Sequence, residues 1–573
     1  MNRLHIKKAA VLGAGVMGAQ IAAHLANAGV PVVLFDLPAK EGDKNGIVRK
    51  AIDGLKKLEP APLANKAALK LISAANYDEH LAELAGCELI IEAIAERMDW
   101  KNDLYGKIVP HISANAIIAS NTSGLSIDAL SQALPADVRP RFCGIHFFNP
   151  PRYMRLVEII ATRTTDAGTL DALETWLTSR LGKGVIRALD TPNFVANRIG
   201  VLSILAVMHH TQRFELGFDV VDALTGPKIG RPKSATYRTA DVVGLDTLAH
   251  VVRNMHGTLP DDPWHAHFKV PAWLEQLIAQ GALGQKTKGG IYRKVGKEVH
   301  VLDLGLQDFR PSSGELSAEV AGILKDRNPA SRFAALRASK DPQAKFLWAI
   351  FRDVFHYAAV QLESIADNAR DLDLAMRWGF GWTQGPFEIW QSAGWADIAR
   401  AIAADIAAGE TMSDTPLPAW VLEDREGVHT PQGSWSPRRK AYVPRSALPV
   451  YQRQLFQEAV LGDGSLAPEQ SGETLFENDG VRLWRLPAVD AGIGILSFKS
   501  KMHAIGSEVV DGVVAAVRQA EQSLSGLVIW HQPPFAVGAN LAQVAEGCAA
   551  GDFAQLDRYV AAPDPSYKYE LVG

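Results

Sequence analysis

Three glycines near the amino terminus, Gly13, Gly15 and Gly18, have the spacing of a loop that binds a dinucleotide. They follow a short apolar run and open a stretch with helical periodicity. In such a loop the first glycine permits a tight turn, the second lets a pyrophosphate approach backbone N–H groups at the helix start, and the third lets the helix lie close to the sheet. Val16 and Met17 lie between the last two glycines, and we count them among the expected cofactor contacts.

The choice of dinucleotide depends on Asp36, which ends the next apolar run. Its carboxylate can accept hydrogen bonds from a ribose 2′-hydroxyl and would repel a 2′-phosphate, and no arginine follows it to bind one. The sequence therefore favours NAD over NADP. Two alternatives stay open: FAD for the glycine pattern alone, and an Asp36 that only caps the following turn.

His146 and Glu158 are the second candidate for chemistry. Glu158 lies within the apolar run from Leu156 to Ile160, where an ionised carboxylate is costly unless it has a partner. His146 is the nearest candidate partner by position, and a glutamate that orients a histidine makes a general base for removing a hydroxyl proton. The alternative is a structural histidine with a glutamate that faces solvent.

The glycine turn, Asp36, His146 and Glu158 must be positioned by the elements around them. In this part of the chain, short β-branched runs alternate with segments of helical periodicity. The alternation predicts an α/β fold with a mostly parallel, doubly wound sheet of the Rossmann type. The predicted strands are Ala9 to Leu12, Val32 to Phe35, Leu89 to Ile91, Ile117 to Ala119 and Phe142 to Ile145. Residues 41–76 break the rhythm with a lysine-rich stretch, predicted to be a helical hairpin that is either solvated or in contact with a polyanionic ligand.

The rest of the chain contains an internal repeat. Residues 193–246 and 346–397 both show helical periodicity followed by a Gly-rich turn, an aromatic residue and a closing glycine near an aspartate, which predicts two related all-helical domains. Stretches rich in Pro, Gly and charge predict linkers. The predicted boundaries are 1–187 for the Rossmann-type domain, 188–304 and 342–430 for the helical copies, 305–341 and 431–480 for linkers, and 481–573 for a final α/β segment.

The composition excludes several classes of protein. The 573 residues include 59 Lys and Arg against 63 Asp and Glu, a net charge of −4 that gives no field to hold nucleic acid or anionic lipid. No apolar stretch approaches the roughly 20 residues of a membrane span. The three cysteines, Cys87, Cys143 and Cys548, are too widely spaced to suggest disulfides or a zinc site, so we expect no metal and a cytoplasmic location.

Several ordered motifs resemble those of the L-3-hydroxyacyl-CoA dehydrogenases, in the long, fused form of multifunctional β-oxidation enzymes. The motifs are VLGAGVMGAQIA from Val11, IIEAIAERMDWK from Ile90, ASNTSGLSI from Ala119, HFFNPPRYMRLVEII from His146 and NFVANR from Asn193. The resemblance covers roughly the first 300 residues well. It implies NAD-dependent oxidation of L-3-hydroxyacyl-CoA to 3-oxoacyl-CoA in fatty-acid β-oxidation.

The resemblance also implies roles for single residues. His146 is implied as the base that takes the 3-hydroxyl proton while hydride leaves C3, with Glu158 as its partner. Ser123 and Asn197 are implied to hold the substrate oxygen. Cofactor contacts are implied for Glu96, Lys101, Ser123 and Asn149, and contacts to coenzyme A for the lysine-rich hairpin, through Lys56, Lys57, Lys66 or Lys70.

Two departures from the family pattern lie in the first helical copy. Asn193 stands where the family usually has glycine, and we expect the turn to survive because asparagine tolerates left-handed backbone. The stretch GRPKSATYRTADVVGLD lacks the family's usual Pro-Met-Gly-Pro pattern, which the second copy keeps better. Acyl-chain specificity is therefore left open.

The last segment resembles the opening of an enoyl-CoA hydratase (crotonase) domain. PFAVGANL corresponds to the acyl-CoA loop, which implies an oxyanion contact for the backbone N–H of Ala539 and a coenzyme A contact near Ala504, with Asn540 replacing the usual Asp. The chain ends at Gly573, before the second oxyanion loop and the catalytic glutamates, so we expect no hydration activity. The segment is then either part of a longer bifunctional enzyme or a docking surface.

The main prediction is thus an NAD-dependent dehydrogenase that acts on an acyl-CoA. The alternatives are a non-catalytic acyl-CoA-binding scaffold and a different β-hydroxyacid dehydrogenase, whose usual catalytic lysine is not evident. We expect a monomer, because the second helical copy can cover the first, and leave membership of a β-oxidation complex open. Acyl chain length and physiological direction do not follow from the sequence.

Overall fold

A computed structural model describes residues 4–466, 470–554 and 557 of the chain. The chain divides into two compact units, Met1–Gly464 and Ser465–Gly573.

The first unit begins with an eight-stranded sheet. Its strands are β1 (Ala9–Leu12), β2 (Val32–Asp36), β3 (Ile72–Asn76), β4 (Leu89–Glu92), β5 (Ile117–Ser120), β6 (Phe142–Phe147), β7 (Leu156–Ala161) and β8 (Gly184–Ala188). They lie in the order β3-β2-β1-β4-β5-β6-β7-β8, and each neighbouring pair is parallel except β6 and β7. The predicted doubly wound α/β fold is confirmed, and all five predicted strands are present.

Five helices connect these strands. They are α1 (Val16–Asn27), α2 (Gly46–Gly54), α3 (Met98–Ile108), α4 (Ile127–Ser131) and α5 (Ala167–Leu181). Strands β1, β4, β5 and β6 are buried along their whole length. Their nearly continuous apolar sequences are those of central strands in a sheet that is covered on both faces.

The lysine-rich stretch at residues 41–76 is only partly helical. The structure has α2, short 3-10 turns at Leu55–Lys57 and Lys66–Leu71, and then β3 at the edge of the sheet. The predicted helical hairpin was wrong for this last part. Strand β3 has the sequence ISAAN, with a single β-branched residue, and it is fixed by parallel pairing with β2 rather than by its own propensity.

The helical part of the first unit follows the sheet. Its first half contains α6 (Ala196–Arg213), α7 (Phe218–Leu224), α8 (Tyr237–Val243), α9 (Leu245–Thr258) and α10 (Ala272–Ala279), and a sheet of β9 (Tyr292–Val295), β10 (Glu298–Asp303) and β11 (Asp308–Pro311). Then come α11 (Ala318–Ile323) and α12 (Pro329–Ala338). Its second half contains α13 (Pro342–Ile365), α14 (Ala369–Phe380), α15 (Pro386–Ser392), α16 (Trp395–Ala407), α17 (Ala419–Leu422), a sheet of β12 (His429–Thr430), β13 (Gly433–Ser436) and β14 (Ala441–Val443), and α18 (Pro449–Gln452).

The two halves share a buried aspartate that caps a helix. In the first half Asp222 of α7 accepts hydrogen bonds from the backbone N–H groups of Tyr237 and Arg238, at 2.7 and 3.0 Å. In the second half Asp373 of α14 accepts them from Phe387 and Glu388, both at 2.9 Å. The same interaction at matching positions supports the predicted internal repeat.

A second matched contact shows that each repeat closes on a small sheet. Asp241 of α8 accepts hydrogen bonds from the N–H groups of Ile291 and Tyr292, and Gln391 of α15 accepts them from Val428 and His429. The expectation of all-helical domains left these sheets out. Elements β11 to α12 fall within the predicted linker 305–341, and most of the β12–β14 sheet falls within the predicted linker 431–480. Both predicted linkers therefore contain regular secondary structure, and the domain boundaries themselves stay a prediction.

The second unit is a smaller α/β structure. It contains β15 (Glu473–Glu477), β16 (Val481–Leu486), β17 (Asp490–Phe498), α19 (Ser507–Ser523), β18 (Gly526–Ile529) and α20 (Leu541–Ala550). The strands lie in the order β15-β16-β17-β18, antiparallel except for the parallel pair β17–β18. Helix α19 packs on one face of this sheet through Val509 and Ala516.

Candidate active site

The glycine turn has the geometry that its sequence predicts. Gly13 has φ of 105°, and a Cβ at this position would lie 2.7 Å from the carbonyl oxygen of Ala93. A Cβ at Gly18 would overlap the carbonyl oxygen of Gly13. Only glycine lets the turn be this tight and lets α1 lie this close to the strand.

The start of α1 can hold a pyrophosphate. A Cβ at Gly15 would meet no atom within 4 Å, so the turn leaves open space in front of the helix. No side chain among the described residues caps this helix end, and Val16 beside it is 70% exposed. These are the features of a helix N-terminus that binds a phosphate group through backbone N–H groups.

Asp36 lies against the same turn. Its Oδ2 accepts a hydrogen bond from the Ala14 N–H at 2.6 Å, and its Oδ1 accepts one from the Leu37 N–H at 2.7 Å. The carboxylate at the end of β2 is thus next to the glycine turn, where an adenosine ribose has to lie once its pyrophosphate is bound at α1. The residues present fit an NAD molecule.

His146 and Glu158 face each other across the single antiparallel pair of the sheet. They are direct register partners on β6 and β7, and His146 Nδ1 is 2.7 Å from Glu158 Oε2. His146 is 5% exposed and Glu158 is fully buried. Because a carboxylate can only accept, Nδ1 is the donor in this contact, and an imidazole with a single proton then has Nε2 as its acceptor.

The other oxygen of Glu158 binds the start of α6. Its Oε1 accepts hydrogen bonds from the N–H groups of Val195 and Ala196, at 3.1 and 2.9 Å. The turn before them has left-handed backbone at Asn193 and Phe194, with φ of 64° and 48°, so the predicted backbone at Asn193 is confirmed. The sequence did not reveal these two donors, which make a buried carboxylate tolerable.

Aromatic rings enclose the imidazole of His146. The ring of Phe148 lies 4.6 Å from it between centroids, and the ring of Phe194 lies 5.5 Å from it. Both phenylalanines are buried. They restrict the rotation of the imidazole and exclude water from it.

Ser123 and Glu96 lie together after adjacent strands. The Ser123 N–H and Oγ donate to Glu96 Oε1 at 2.7 and 3.3 Å, and the Thr122 hydroxyl donates to the other oxygen of Glu96. Ser120 at the end of β5 pairs with Gly144 of β6, so these residues leave the sheet at the same edge as His146. The structure therefore brings Ser123, Glu96 and His146 to one edge.

Asn197 lies in α6, and Asn149 lies in the segment that follows β6. Asn197 is the second residue of α6, is half-buried, and has no hydrogen-bond partner for its side chain among residues 4–466. Asn149 accepts a hydrogen bond from Gln20 Nε2 of α1 at 3.2 Å, which connects the segment after His146 to the nucleotide-binding helix.

Lys101 lies in a buried cluster that the sequence did not reveal. Its Nζ donates to Glu92 Oε1 at 2.6 Å, and Glu92 Oε2 accepts from Ser120 Oγ at 2.6 Å and from Tyr105 OH at 3.1 Å. Lys101 is 1% exposed. A glutamate that ends the apolar strand LIIE was the available signal for such a cluster. The contact between Lys101 and NAD stays a prediction.

A second buried lysine fixes the segment that carries Asn149. Lys183 Nζ donates to the carbonyl oxygen of Met154 at 2.9 Å and to that of Pro151. Burial lowers the pKa of this ammonium to about 8. Through these two carbonyl oxygens the Lys183 ammonium holds the turn after His146 in place.

The lysines predicted to bind coenzyme A lie in the irregular hairpin. Lys56 and Lys57 belong to the 3-10 turn after α2, and Lys56 pairs with Asp53 at 2.8 Å with a side chain that is 48% exposed. The ion pair leaves this ammonium accessible to solvent.

The chain has a Rossmann-type sheet with an NAD-binding turn, and a following helix donates backbone hydrogen bonds to the glutamate of a buried His–Glu pair. These features define an NAD-dependent dehydrogenase. Residues 8–191 match the family described as "3-hydroxyacyl-CoA dehydrogenase, NAD binding domain", and residues 194–294 match "3-hydroxyacyl-CoA dehydrogenase, C-terminal domain". The chain belongs to the 3-hydroxyacyl-CoA dehydrogenase family.

Relatives from two bacteria agree with this assignment. A "Probable 3-hydroxyacyl-CoA dehydrogenase" of Bacillus subtilis (strain 168) is 33% identical over 576 aligned residues, which cover 96% of this chain and 70% of the relative. A protein of the same description from Deinococcus radiodurans is 42% identical over 297 residues, which cover 52% of this chain and 85% of the relative. The first alignment includes residues of both compact units.

A solved structure shares the fold. The 3-hydroxybutyryl-CoA dehydrogenase of Escherichia coli superposes with a TM-score of 0.55 at 21% identity, over 73% of this chain and 98% of that one.

Within the described ranges of this chain, no helix combines the length and apolar character needed to cross a bilayer.

Proposed function

We propose that this dehydrogenase oxidises L-3-hydroxyacyl-CoA to 3-oxoacyl-CoA with His146 as the general base. The observation that carries the proposal is the buried His146–Glu158 pair, which leaves Nε2 of the imidazole as its only acceptor. NAD, when bound, accepts the hydride from C3 of the substrate. His146 Nε2 takes the 3-hydroxyl proton, and Glu158 stabilises the imidazolium that forms.

Ser123 and Asn197 support this reaction by holding the substrate oxygen. The oxygen gains carbonyl character as hydride leaves, and fixed donors lower the energy of that change. The Ser123 hydroxyl donates its only proton to Glu96 in this structure, so it has to rotate in order to donate to the substrate oxygen. The Asn197 amide has no side-chain hydrogen bond among residues 4–466 and is free to donate. In the reverse direction the same donors would polarise the 3-oxo group while the imidazolium returns its proton.

The test assays oxidation of a 3-hydroxyacyl-CoA and hydration of an enoyl-CoA side by side. The protein is incubated with a 3-hydroxyacyl-CoA and NAD while NADH formation is followed, and a parallel sample contains the matching enoyl-CoA. NADH formation from the L-isomer and not from the D-isomer supports the proposal. NADH binding without turnover of any 3-hydroxyacyl-CoA would show that the substrate class is wrong.

The cofactor preference gives a prediction at Asp36. Asp36→Ser is expected to lower kcat/KM for NAD by about 10-fold and to raise that for NADP, because a charged acceptor for the ribose is lost together with its repulsion of a 2′-phosphate. The ratio of the two values is measured in steady state. Asp137→Ser, which changes an exposed aspartate elsewhere in the unit, is the matched control; an unchanged ratio in the Asp36 variant would contradict the role of Asp36.

The lysine-rich hairpin gives a prediction on substrate binding. The double variant Lys56→Glu/Lys57→Glu is expected to raise the KM for acyl-CoA about fivefold at low salt with little change in kcat, and the effect should shrink as ionic strength rises. Lys294→Glu/Lys297→Glu, on the exposed hairpin of β9 and β10, reverses the same charge at another site. Equal KM values in the two double variants would exclude the hairpin as the coenzyme A contact.

For the second unit we propose a crotonase-like contact with acyl-CoA. The Ile505 N–H donates to Gly538 O at 2.9 Å and the Asn540 N–H donates to Ile505 O at 2.7 Å, so the segments of Ala504 and Ala539 run side by side. Asn540 caps α20 through bonds from Ala542 and Gln543, a role that aspartate also performs. Ala539→Pro removes the Ala539 N–H, and fewer acyl-CoA molecules bound per chain in the variant than in the wild-type protein would support the contact.

We further propose that the protein is a cytoplasmic monomer. The three cysteines are free and two are buried, which suits a reducing compartment. Helices α6 and α13 pack on each other within one chain, so the two repeats cover each other without a partner. Light scattering that gave twice the chain mass would overturn the monomer.

A further inference from the structure

The guanidinium of Arg198 joins the two repeats, and Arg198 lies near the start of α6, where two backbone N–H groups bind Glu158. Arg198 is the third residue of α6 and is 5% exposed. Its Nε donates to the Tyr357 hydroxyl at 2.7 Å, and its Nη2 donates to Asp262 Oδ2 at 2.8 Å and to Gln361 Oε1 at 3.1 Å. The Tyr357 hydroxyl donates to the same Asp262 oxygen at 3.0 Å. Tyr357 and Gln361 belong to α13, so the second repeat supplies two of the three side chains that bind Arg198.

Arg198 also reaches the turn that binds Glu158. Its Nη1 donates to the carbonyl oxygen of Pro192 at 3.4 Å, just before the left-handed turn. The N–H groups of Val195 and Ala196, which end that turn, are the donors to Glu158. The buried side chain of Arg198 therefore contacts the residue just before the turn, and its backbone belongs to the helix that follows the turn.

Helix α14 of the second repeat approaches the pair from another side. A Cβ at Gly379 would lie 2.7 Å from Leu156 Cδ2, 3.3 Å from Ala196 Cβ and 3.7 Å from Phe148 Cε1. Ala196 donates to Glu158, and the Phe148 ring lies against His146. The backbone of α14 thus lies close to a neighbour of each member of the pair, and a side chain at position 379 would make Leu156 shift and would press on Ala196.

The residues beside Gly379 anchor α14 in this position. The ring of Trp378 occupies the space where a side chain at Gly184 of β8 would stand, and the ring of Phe380 does the same at Gly200 of α6. Two rings that fill the places of missing side chains leave α14 little freedom to slide.

We propose, on the basis of the function proposed above, that the second repeat positions the His146–Glu158 pair. Tyr357 acts through Arg198 on the turn whose N–H groups bind Glu158, and Gly379 acts through Ala196 and Phe148. Neither residue touches the reacting atoms. Both are positioning residues, and their loss displaces the imidazole relative to the substrate.

The first test removes one hydroxyl. Tyr357→Phe is expected to lower kcat about 10-fold with less than a twofold change in the KM for NAD and in the Kd for NADH, since small displacements of a base slow proton transfer without altering cofactor binding. Tyr442→Phe is the matched control, because that hydroxyl donates to a carbonyl, Gly427 O, at 2.9 Å within the second repeat. The control is expected to keep the wild-type kcat.

The second test adds one methyl group. Gly379→Ala places a Cβ against Leu156, Ala196 and Phe148 and is expected to lower kcat about 10-fold with an unchanged Kd for NADH. Gly322→Ala adds the same methyl group to α11, where it would meet no atom within 4 Å, and is expected to behave as wild type.

A double variant separates positioning from general destabilisation. If Tyr357 acts through Glu158, then Tyr357→Phe in a Glu158→Gln background lowers kcat by less than twofold further. A full 10-fold further loss, or a parallel loss of NADH affinity, would assign Tyr357 a structural role only and overturn the proposal. If the wild-type protein turns over substrate and both Tyr357→Phe and Gly379→Ala keep its kcat, the positioning role alone is overturned. If the wild-type protein does not turn over any 3-hydroxyacyl-CoA, the proposed function is overturned as well.

Discussion

Replacing His146 with glutamine is expected to lower kcat for NADH formation by about 10³-fold while the Kd for NADH stays unchanged. The imidazole is almost completely buried, and its Nε2 is the acceptor that remains once Nδ1 binds Glu158 at 2.7 Å. Glutamine can still donate to Glu158, but its amide does not take up a proton near neutral pH. Steady-state NADH formation and equilibrium titration with NADH give the two quantities.

The control for this variant is His111→Gln, which changes an exposed histidine after α3. It is expected to retain wild-type kcat. A His146 variant with kcat within fivefold of wild type would remove the histidine from the reaction. Loss of NADH binding in the same variant would mean that His146 is needed for the fold of the cofactor site instead.

The nucleotide-binding turn was predictable because its constraints are local. Gly13, Gly15, Gly18 and Asp36 lie on one strand, turn, helix and strand unit, and steric demands at each position can be assigned from spacing alone. The structure places all four as expected. The contact of Asp36 with the Ala14 N–H adds only a detail that depends on the exact path of the backbone.

The His146–Glu158 pair was predictable for a different reason. Both residues lie in strong strand sequences separated by a short connection, and such strands can pair as neighbours so that one histidine and one glutamate meet. The donors that hold Glu158 from the other side come from the start of α6, far along the chain. Their approach depends on how the helical part packs on the sheet, which no local pattern encodes.

Non-local packing also explains what the sequence left out at Lys101 and Tyr357. Lys101 follows Glu92 by one strand-to-helix connection, yet the pairing needs α3 to lie over the end of β4. Tyr357 meets Arg198 only because α13 packs along α6. The repeat itself was visible in the sequence, but the face that each copy turns toward the other was not.

Glu158→Gln is expected to lower kcat by about 10²-fold and to destabilise the first unit by about 1–3 kcal/mol. The carboxylate accepts on both oxygens, from His146 on one side and from two N–H groups of α6 on the other. A glutamine has one acceptor and one NH₂ group. Either its NH₂ faces His146 and forces the tautomer whose Nε2 carries the proton, or it faces the two backbone donors and leaves them unsatisfied.

Both orientations of the glutamine amide predict a lower kcat than glutamate gives, and thermal stability distinguishes them. The first lowers kcat with a small loss of thermal stability, and the second lowers both. Glu174→Gln is the matched control, because Glu174 is also buried and binds Arg187 and Tyr451 away from the pair. It is expected to lose stability and keep kcat. Wild-type kcat in Glu158→Gln would show that His146 is oriented by its aromatic neighbours, Phe148 and Phe194, and not by the carboxylate.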